Sequence, residues 1–305
     1  MNENLAELTY GIVGLGIMGG SIAKAIRKNI LVKNEKNSSL GKIFALDKNE
    51  SALLLAKEEK IIDKAFLPQD TKKMLLECDV VFICIYPHAT LNFLLEHKED
   101  YKDHALVTDI SGVKNLIQER FDELCPKNAF LVLGHPMAGG EKEGFASSKS
   151  EFFKNHNYII ISQKKSGYDF ENARKLLKKI AFAMGFSKIT ETDSENHDNK
   201  IGFTSQLCHV VASAMVESAE DPNITSFGGG SFEDLTRIAM INAPLWTELF
   251  LANKDKLVNH IEVFKKHLSE IERLIENEDS KNLQKLLEDV RSKRILMQKN
   301  GEDKK

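Results

Sequence analysis

The chain has 305 residues, 42% of them hydrophobic and 29% charged, with a formal net charge of −3. That length accommodates two domains with a sizeable core, and the slight acidity gives nucleic-acid binding no electrostatic footing. Cys78, Cys84, Cys125 and Cys208 show neither CxxC nor metal-ligand spacing, so a reduced, cytoplasmic protein without a metal is expected. Met1 to Leu8 lacks a basic n-region and no apolar run approaches membrane-spanning length, so neither a signal peptide nor a membrane segment is expected.

Tyr10 to Gly14 is a short apolar run ending in glycine, and a helical pattern follows over Gly19 to Lys28. Ile43 to Leu46, Val80 to Tyr86, Ala105 to Asp109, Ala129 to Leu133 and Tyr158 to Ser162 read as further strands, separated by helical stretches such as Ser51 to Lys60. The alternation predicts an α/β fold with a Rossmann-type, mostly parallel sheet covered on both faces. Glu171 to Met184 reads as an amphipathic helix and Ser187 to Thr190 as a last strand.

After Asp193 the strand pattern stops. His197 to Ala219, Ser231 to Met240, Pro244 to Ile275 and Ser280 to Met297 read as helices, with a glycine-rich loop over Asn223 to Gly230. The expected division is a nucleotide-binding domain over residues 1–192 and an all-α domain over residues 193–305. Leu257, Ile261, Phe264, Leu268, Ile271 and Ile275 recur at alternating spacings of four and three. Such a narrow seam suits packing on another helix, within the chain or across a homodimer. Asn300 to Lys305 is expected to be disordered.

Gly14-Leu15-Gly16-Ile17-Met18-Gly19 follows the first strand and opens a helix. The first glycine permits a tight turn, the second lets the backbone approach a pyrophosphate, and the third lets the helix pack on the strand. Asp47, at the end of the second strand, offers a carboxylate to the adenosine ribose hydroxyls and would repel a 2′-phosphate, so NAD is preferred over NADP. It lies unusually far from Gly19, which an inserted polar loop from Asn34 to Gly41 explains.

His135 stands where the apolar run Ala129 to Leu133 enters a glycine-rich loop. A histidine at the carboxyl end of a parallel strand is well placed to accept a proton while a dinucleotide takes hydride. Gly134-His135-Pro136-Met137-Ala138-Gly139, followed by Glu141, resembles the active-site segment of the prephenate dehydrogenase family of tyrosine biosynthesis. Similar motifs follow the family's order at Asp109 to Lys114, His197-Asp198, Leu207-Cys208-His209, Gly229 to Ala239 and Pro244-Leu245-Trp246.

The resemblance implies an NAD-dependent oxidative decarboxylation of prephenate to 4-hydroxyphenylpyruvate, with a helical dimerisation domain. It implies that His135 is the base, that Arg237 grips a substrate carboxylate, that His209 lies at the substrate, and that Glu141 gates the site by pairing with the arginine. His197 matches a family position as well, and a structural role at a helix start fits it equally. The chain departs from the family's Gly-Ser-Val-Lys, having Ser111-Gly112-Val113-Lys114 instead. Ser111 is therefore the candidate for the hydroxyl beside His135. Gln206 and Cys208 also replace a histidine and a proline common in the family.

Arogenate dehydrogenase is the nearest alternative, because it performs the same chemistry on the transaminated substrate. β-Hydroxyacid dehydrogenases share GLGxMG, but Phe203 and Thr204 stand where their asparagine would be needed. A non-catalytic NAD-binding protein would have no use for both His135 and Arg237.

Overall fold

Thr9–Val13 forms β1 because its side chains are apolar on both sides of the pleat. Tyr10 and Ile12 enter one buried cluster with Ile22 and Ile26, whereas Val13 enters another with Phe44 and Ile83. A strand buried on both faces belongs inside a parallel sheet. The computed structural model describes residues 4–31, 41–140, 142–162 and 168–302. Most of the polar insertion expected at Asn34 to Gly41 lies outside the described residues, as does Glu141.

Around β1 run β2 (Lys42–Leu46), β3 (Lys64–Phe66), β4 (Val80–Ile83), β5 (Leu106–Asp109) and β6 (Phe130–Leu131). They form a six-stranded sheet in the order β3-β2-β1-β4-β5-β6, every pair parallel. The connecting helices are α1 (Ile17–Asn29), α2 (Glu50–Glu58), α3 (Thr71–Leu75), α4 (Pro87–Glu96), α5 (Asn115–Gln118) and α6 (Phe121–Leu124). The order reverses between β1 and β4, so the carboxyl edge there is the topological switch point where such sheets bind ligands. Strand β3 was not anticipated, being three residues long with two of them exposed.

The strand series does not continue in that sheet. β7 (Gly134–Pro136), β8 (Asn157–Ile161) and β9 (Lys188–Thr192) form a separate three-stranded sheet, with α7 (Tyr168–Met184) crossing between β8 and β9. β7 pairs antiparallel with β8, and His135 lies opposite Ile159. The expectation that His135 sits in a loop at the end of a parallel strand is therefore corrected. The first sheet ends at Leu131, and His135 stands on a short strand whose ladder fixes its direction. A Cβ on Gly134 would lie 2.3 Å from the hydroxyl of Tyr158, so only glycine lets β7 lie so close to this buried ring.

Beyond β9 all regular structure among the described residues is helical. α8 (Ser194–Ile201) starts under an Asp193 cap, whose side chain accepts from Asn196 N at 2.8 Å. One π-helical turn, Gly202–Gln206, links it to α9 (Leu207–Glu217). α10 (Gly230–Thr236) and α11 (Ala243–Ala252) follow, with Asn242 capping the latter by accepting from Leu245 N at 2.9 Å. The single helix expected from Pro244 to Ile275 is two, broken at Asn253, whose buried side chain donates to the Asp198 carbonyl and to Gln206 Oε1. Those tertiary hydrogen bonds outweigh the uninterrupted helical pattern.

The chain forms two compact units, Met1–Asn253 and Lys254–Lys305. The second comprises α12 (Lys254–Glu276) and α13 (Ser280–Glu302), reversing at Glu278 with φ of 51°. Helix α13 runs through Glu302, which corrects the disorder expected from Asn300; residues 303–305 lie outside the described residues. Phe264, Leu268 and Ile275 of the predicted seam are exposed. No helix among the described residues is long and apolar enough to cross a membrane.

Gly134→Ala is expected to lower stability by about 1–3 kcal/mol, the usual cost of forcing an extra carbon into a packed core. Urea unfolding checks this, and an unchanged midpoint would contradict the packing argument.

Candidate active site

The glycine loop uses its three glycines differently. Gly14 has φ of 87°, and a Cβ there would lie 2.6 Å from the Cys84 carbonyl oxygen. On Gly19 a Cβ would lie 1.9 Å from the Gly14 carbonyl oxygen, so α1 can leave β1 at this angle only with glycine. On Gly16, the residue capping α1, a Cβ would meet nothing within 4 Å. Protein packing does not require that glycine, whereas close approach of a pyrophosphate to the helix N-terminus does.

Asp47 follows β2 and ties the loop down: Oδ2 accepts from Leu15 N at 2.5 Å and Oδ1 from Asn49 N at 2.8 Å. Each carboxylate oxygen retains acceptor capacity for a ribose hydroxyl. The residues present thus fit a dinucleotide. Cβ atoms built on Gly139 and Gly140 would lie 4.0 Å from Met18 Sδ and 3.5 Å from Ile17 Cδ1. The segment after His135 therefore rests against the first turn of α1.

His135 is half-buried, and its Nδ1 lies 2.9 Å from Nε2 of His197. His197 is fully buried on α8, with Nδ1 2.6 Å from Asp198 Oδ1. Asp198 also accepts from the backbone N–H groups of Lys114 and Asn115, both at 2.8 Å. Beneath β7, the buried Lys114 ammonium donates to Asp109 Oδ2 at 2.7 Å and to the Gly134 carbonyl. Burial pushes the His135 imidazole well below the ordinary histidine range, with His197 and Lys114 adding to the shift. Burial likewise lowers His197, although Asp198 opposes it. Lys114 is lowered by burial against the pull of Asp109.

Ser111 is buried and its N–H donates to Asp109 Oδ2 at 2.9 Å, while its hydroxyl lies 3.5 Å from Val113 N. No hydrogen bond joins Ser111 to His135 among the described contacts, and Nδ1 of His135 is held by His197. A Cβ on Gly112 would lie 3.9 Å from His135 Cε1 and 3.3 Å from Leu249 Cδ2 of α11, so position 112 looks toward the base.

The helical segments carry the remaining candidates. His209 on α9 bonds through Nδ1 to the Ile238 carbonyl at 2.9 Å, and its ring centroid is 3.6 Å from that of Trp246 on α11. Burial lowers the His209 pKa, opposed by that carbonyl. Arg237 precedes Ile238 and is exposed, in a turn just beyond α10. Gln206 is buried and donates to the Leu249 carbonyl at 3.0 Å, which locks the π-helical turn to α11. Asn242 donates to Tyr86 Oη at 2.8 Å and Glu143 Oε1 at 2.7 Å, bringing the start of α11 to the exit of β4.

The glycine loop, Asp47, His135 and His209 are legible as candidates in the sequence; the buried contacts of Asp109, Lys114 and Asp198 are not. A strand-end acid five residues before a lysine was the available signal, but nothing in sequence marks such a pair as buried.

Residues 30–184 match the family described as prephenate dehydrogenase, nucleotide-binding domain, and residues 193–289 match prephenate dehydrogenase, dimerization domain. The glycine loop precedes the first match, so its assignment rests on geometry. The chain is similar to the prephenate dehydrogenase of Bacillus subtilis (strain 168), 31% identical over 288 residues, which cover 92% of this chain and 73% of that protein. It is also similar to the prephenate dehydrogenase of Lactococcus lactis subsp. cremoris, 30% identical over 94% of this chain and 77% of that one. Among solved structures, the A. aeolicus prephenate dehydrogenase in complex with hydroxyphenyl propionate and NAD+ has a TM-score of 0.83 and 28% identity, covering 95% and 98% of the two chains. Synechocystis arogenate dehydrogenase, at 23% identity and a TM-score of 0.75 over 95% and 100%, shares the fold.

Lys114→Met would strand the Asp109 carboxylate in the interior. Removing one partner of a buried pair costs about 3–5 kcal/mol, and denaturant unfolding is expected to show a loss of that size. A loss near that of a surface lysine would refute the account of the pair.

Proposed function

The chain belongs to the prephenate dehydrogenase family, and on that premise we propose that it is an NAD-dependent oxidoreductase converting prephenate to 4-hydroxyphenylpyruvate. The observation that carries this reading is His135, a half-buried imidazole anchored through Nδ1 on a strand whose next loop rests against the glycine loop. When bound, NAD supplies the acceptor for the hydride leaving the ring carbinol carbon. The bare backbone at Gly16 would admit its pyrophosphate, and Asp47 its ribose.

His135 Nε2 is the nitrogen left for the substrate and takes the hydroxyl proton as the carbonyl forms. The ring carboxylate then lies on a vinylogous β-keto acid and departs as CO₂, with aromatisation driving the step. Chemistry that favourable asks the protein mainly for a base and for orientation. Arg237, on the helical side near His209, is assigned the grip on a substrate carboxylate, because a guanidinium makes two parallel hydrogen bonds to one. His209 is assigned the same end of the substrate, Ser111 a contact near the base, and Glu141 the gating of Arg237.

The working division is a nucleotide-binding domain over residues 1–192 and a substrate and dimerisation domain over residues 193–305. Exposed Phe227, Leu235 and Met240 in the helical part, and Phe264, Leu268 and Ile275 on α12, support a homodimer. A cytoplasmic location suits a biosynthetic enzyme of this kind.

NADH formation measured with prephenate and with arogenate, each with NAD and NADP, is expected to be fastest for prephenate with NAD. A preference for arogenate would move the chain to arogenate dehydrogenase, and activity on a β-hydroxyacid alone would overturn the reading. His135→Asn should reduce turnover by about 10²–10⁴-fold, the usual contribution of a general base, with NAD affinity near wild type; retained turnover would remove His135 from the chemistry.

The pH profile follows from the same burial. Because His135 lies well below its ordinary value of 6.5, it stays unprotonated as pH falls through that value. The acidic limb of kcat/KM is expected below 6.5, and a limb at or above it would contradict a buried base.

A further inference from the structure

The proton acceptance assigned to His135 needs only one of its nitrogens, yet the other leads into a buried chain of groups. His135 Nδ1 is 2.9 Å from His197 Nε2, and His197 Nδ1 is 2.6 Å from Asp198 Oδ1. Two backbone N–H groups, from Lys114 and Asn115, point at the same carboxylate at 2.8 Å. The Asp198 carbonyl accepts from the Asn253 side chain at 2.8 Å, which pins the backbone of α8 as well.

Hydrogen-bond polarity propagates along this chain in one direction. A carboxylate facing two backbone donors can only accept, so the proton between it and His197 belongs to Nδ1 of the ring. A neutral imidazole with its proton on Nδ1 presents a lone pair at Nε2. The atom facing that lone pair, Nδ1 of His135, must then be the donor. The second ring therefore also carries its proton on Nδ1 and its lone pair on Nε2.

We propose that His197 and Asp198 form a positioning relay that fixes the tautomer and direction of His135, so that Nε2 is always the basic nitrogen. The proposal rests on the reading of His135 as the base. In the step itself one proton moves from the substrate hydroxyl oxygen to His135 Nε2, while the Nδ1 proton stays where it is. The imidazolium so formed donates a charge-assisted hydrogen bond to His197, with Asp198 behind it. Lys114 and Asp109 are the other charged groups at this pair of rings. Burial holds His197 below its ordinary range, which favours the neutral ring that the relay requires. Neither His197 nor Asp198 needs to reach the substrate.

The relay also explains how a chain with glycine at position 112 directs its base. Orientation of Nδ1 comes from the helical side, through α8.

The test combines kinetics with spectroscopy on the full-length protein. His197→Leu should lower kcat by about 10²-fold, within the range of acid–base contributions, while KM and NAD affinity stay within about 2-fold. His197→Gln, whose amide oxygen can accept from Nδ1–H, should recover about 10-fold of that loss. An unchanged kcat, or a raised KM at constant kcat, overturns the relay. The imidazole ¹⁵N shifts of the NAD-bound wild type, assigned by the signals lost in His135→Asn, should show Nδ1–H on both rings. An Nε2–H form of His135 overturns the relay even where His197→Leu fails to fold. Failure of the base assignment is distinguishable, because it appears as turnover retained in His135→Asn.

Discussion

The buried ion pair between Lys114 and Asp109 is the constraint on which the site geometry depends. Both side chains are fully withdrawn from water, and isolated charges there would cost several kcal/mol each. The cost is offset because the partners are shared. Asp109 accepts from the Lys114 ammonium and the Ser111 N–H, and Lys114 also donates to the Gly134 carbonyl. One ammonium thus joins the end of β5 to the start of β7, the strand that carries His135. The last residue of β5 and the residue preceding the base are thus held by one ammonium.

The same segment reaches the helical side through its backbone. The N–H groups of Lys114 and Asn115, left over at the start of α5, find Asp198 on α8. From α8 the π-helical turn carries Gln206 inward to Leu249 and Asn253. The helical wall therefore holds its relation to the parallel sheet through backbone groups and buried amides, which have few alternative partners. Such a framework holds the half-buried His135 imidazole in one orientation.

Two sheets, not one, make room for the site. The six-stranded sheet ends at its carboxyl edge with the glycine loop, Asp47 and Asp109. The three-stranded sheet then brings His135 and the loop after it back across the start of α1. Cofactor loop and base come from different sheets, and their approach is fixed by Gly134 lying on Tyr158 and by Gly139 and Gly140 lying on α1.

The sequence by itself determined the periodic features: the strand and helix alternation, the glycine loop and Asp47, and the change to helix after Asp193. These are local, because each follows from the spacing of apolar residues or from one backbone conformation. Local motifs also mark His135 and His209 as candidates. Tertiary structure alone decided that β7 leaves the parallel sheet, that the helix from Pro244 breaks at Asn253, and that His197 meets His135. Each of these rests on a buried polar group with a partner far along the chain: Asn253 with Asp198 and Gln206, His197 with His135, Lys114 with Gly134. A hydrogen bond across tens of residues leaves no period in the sequence, because only its two ends are fixed.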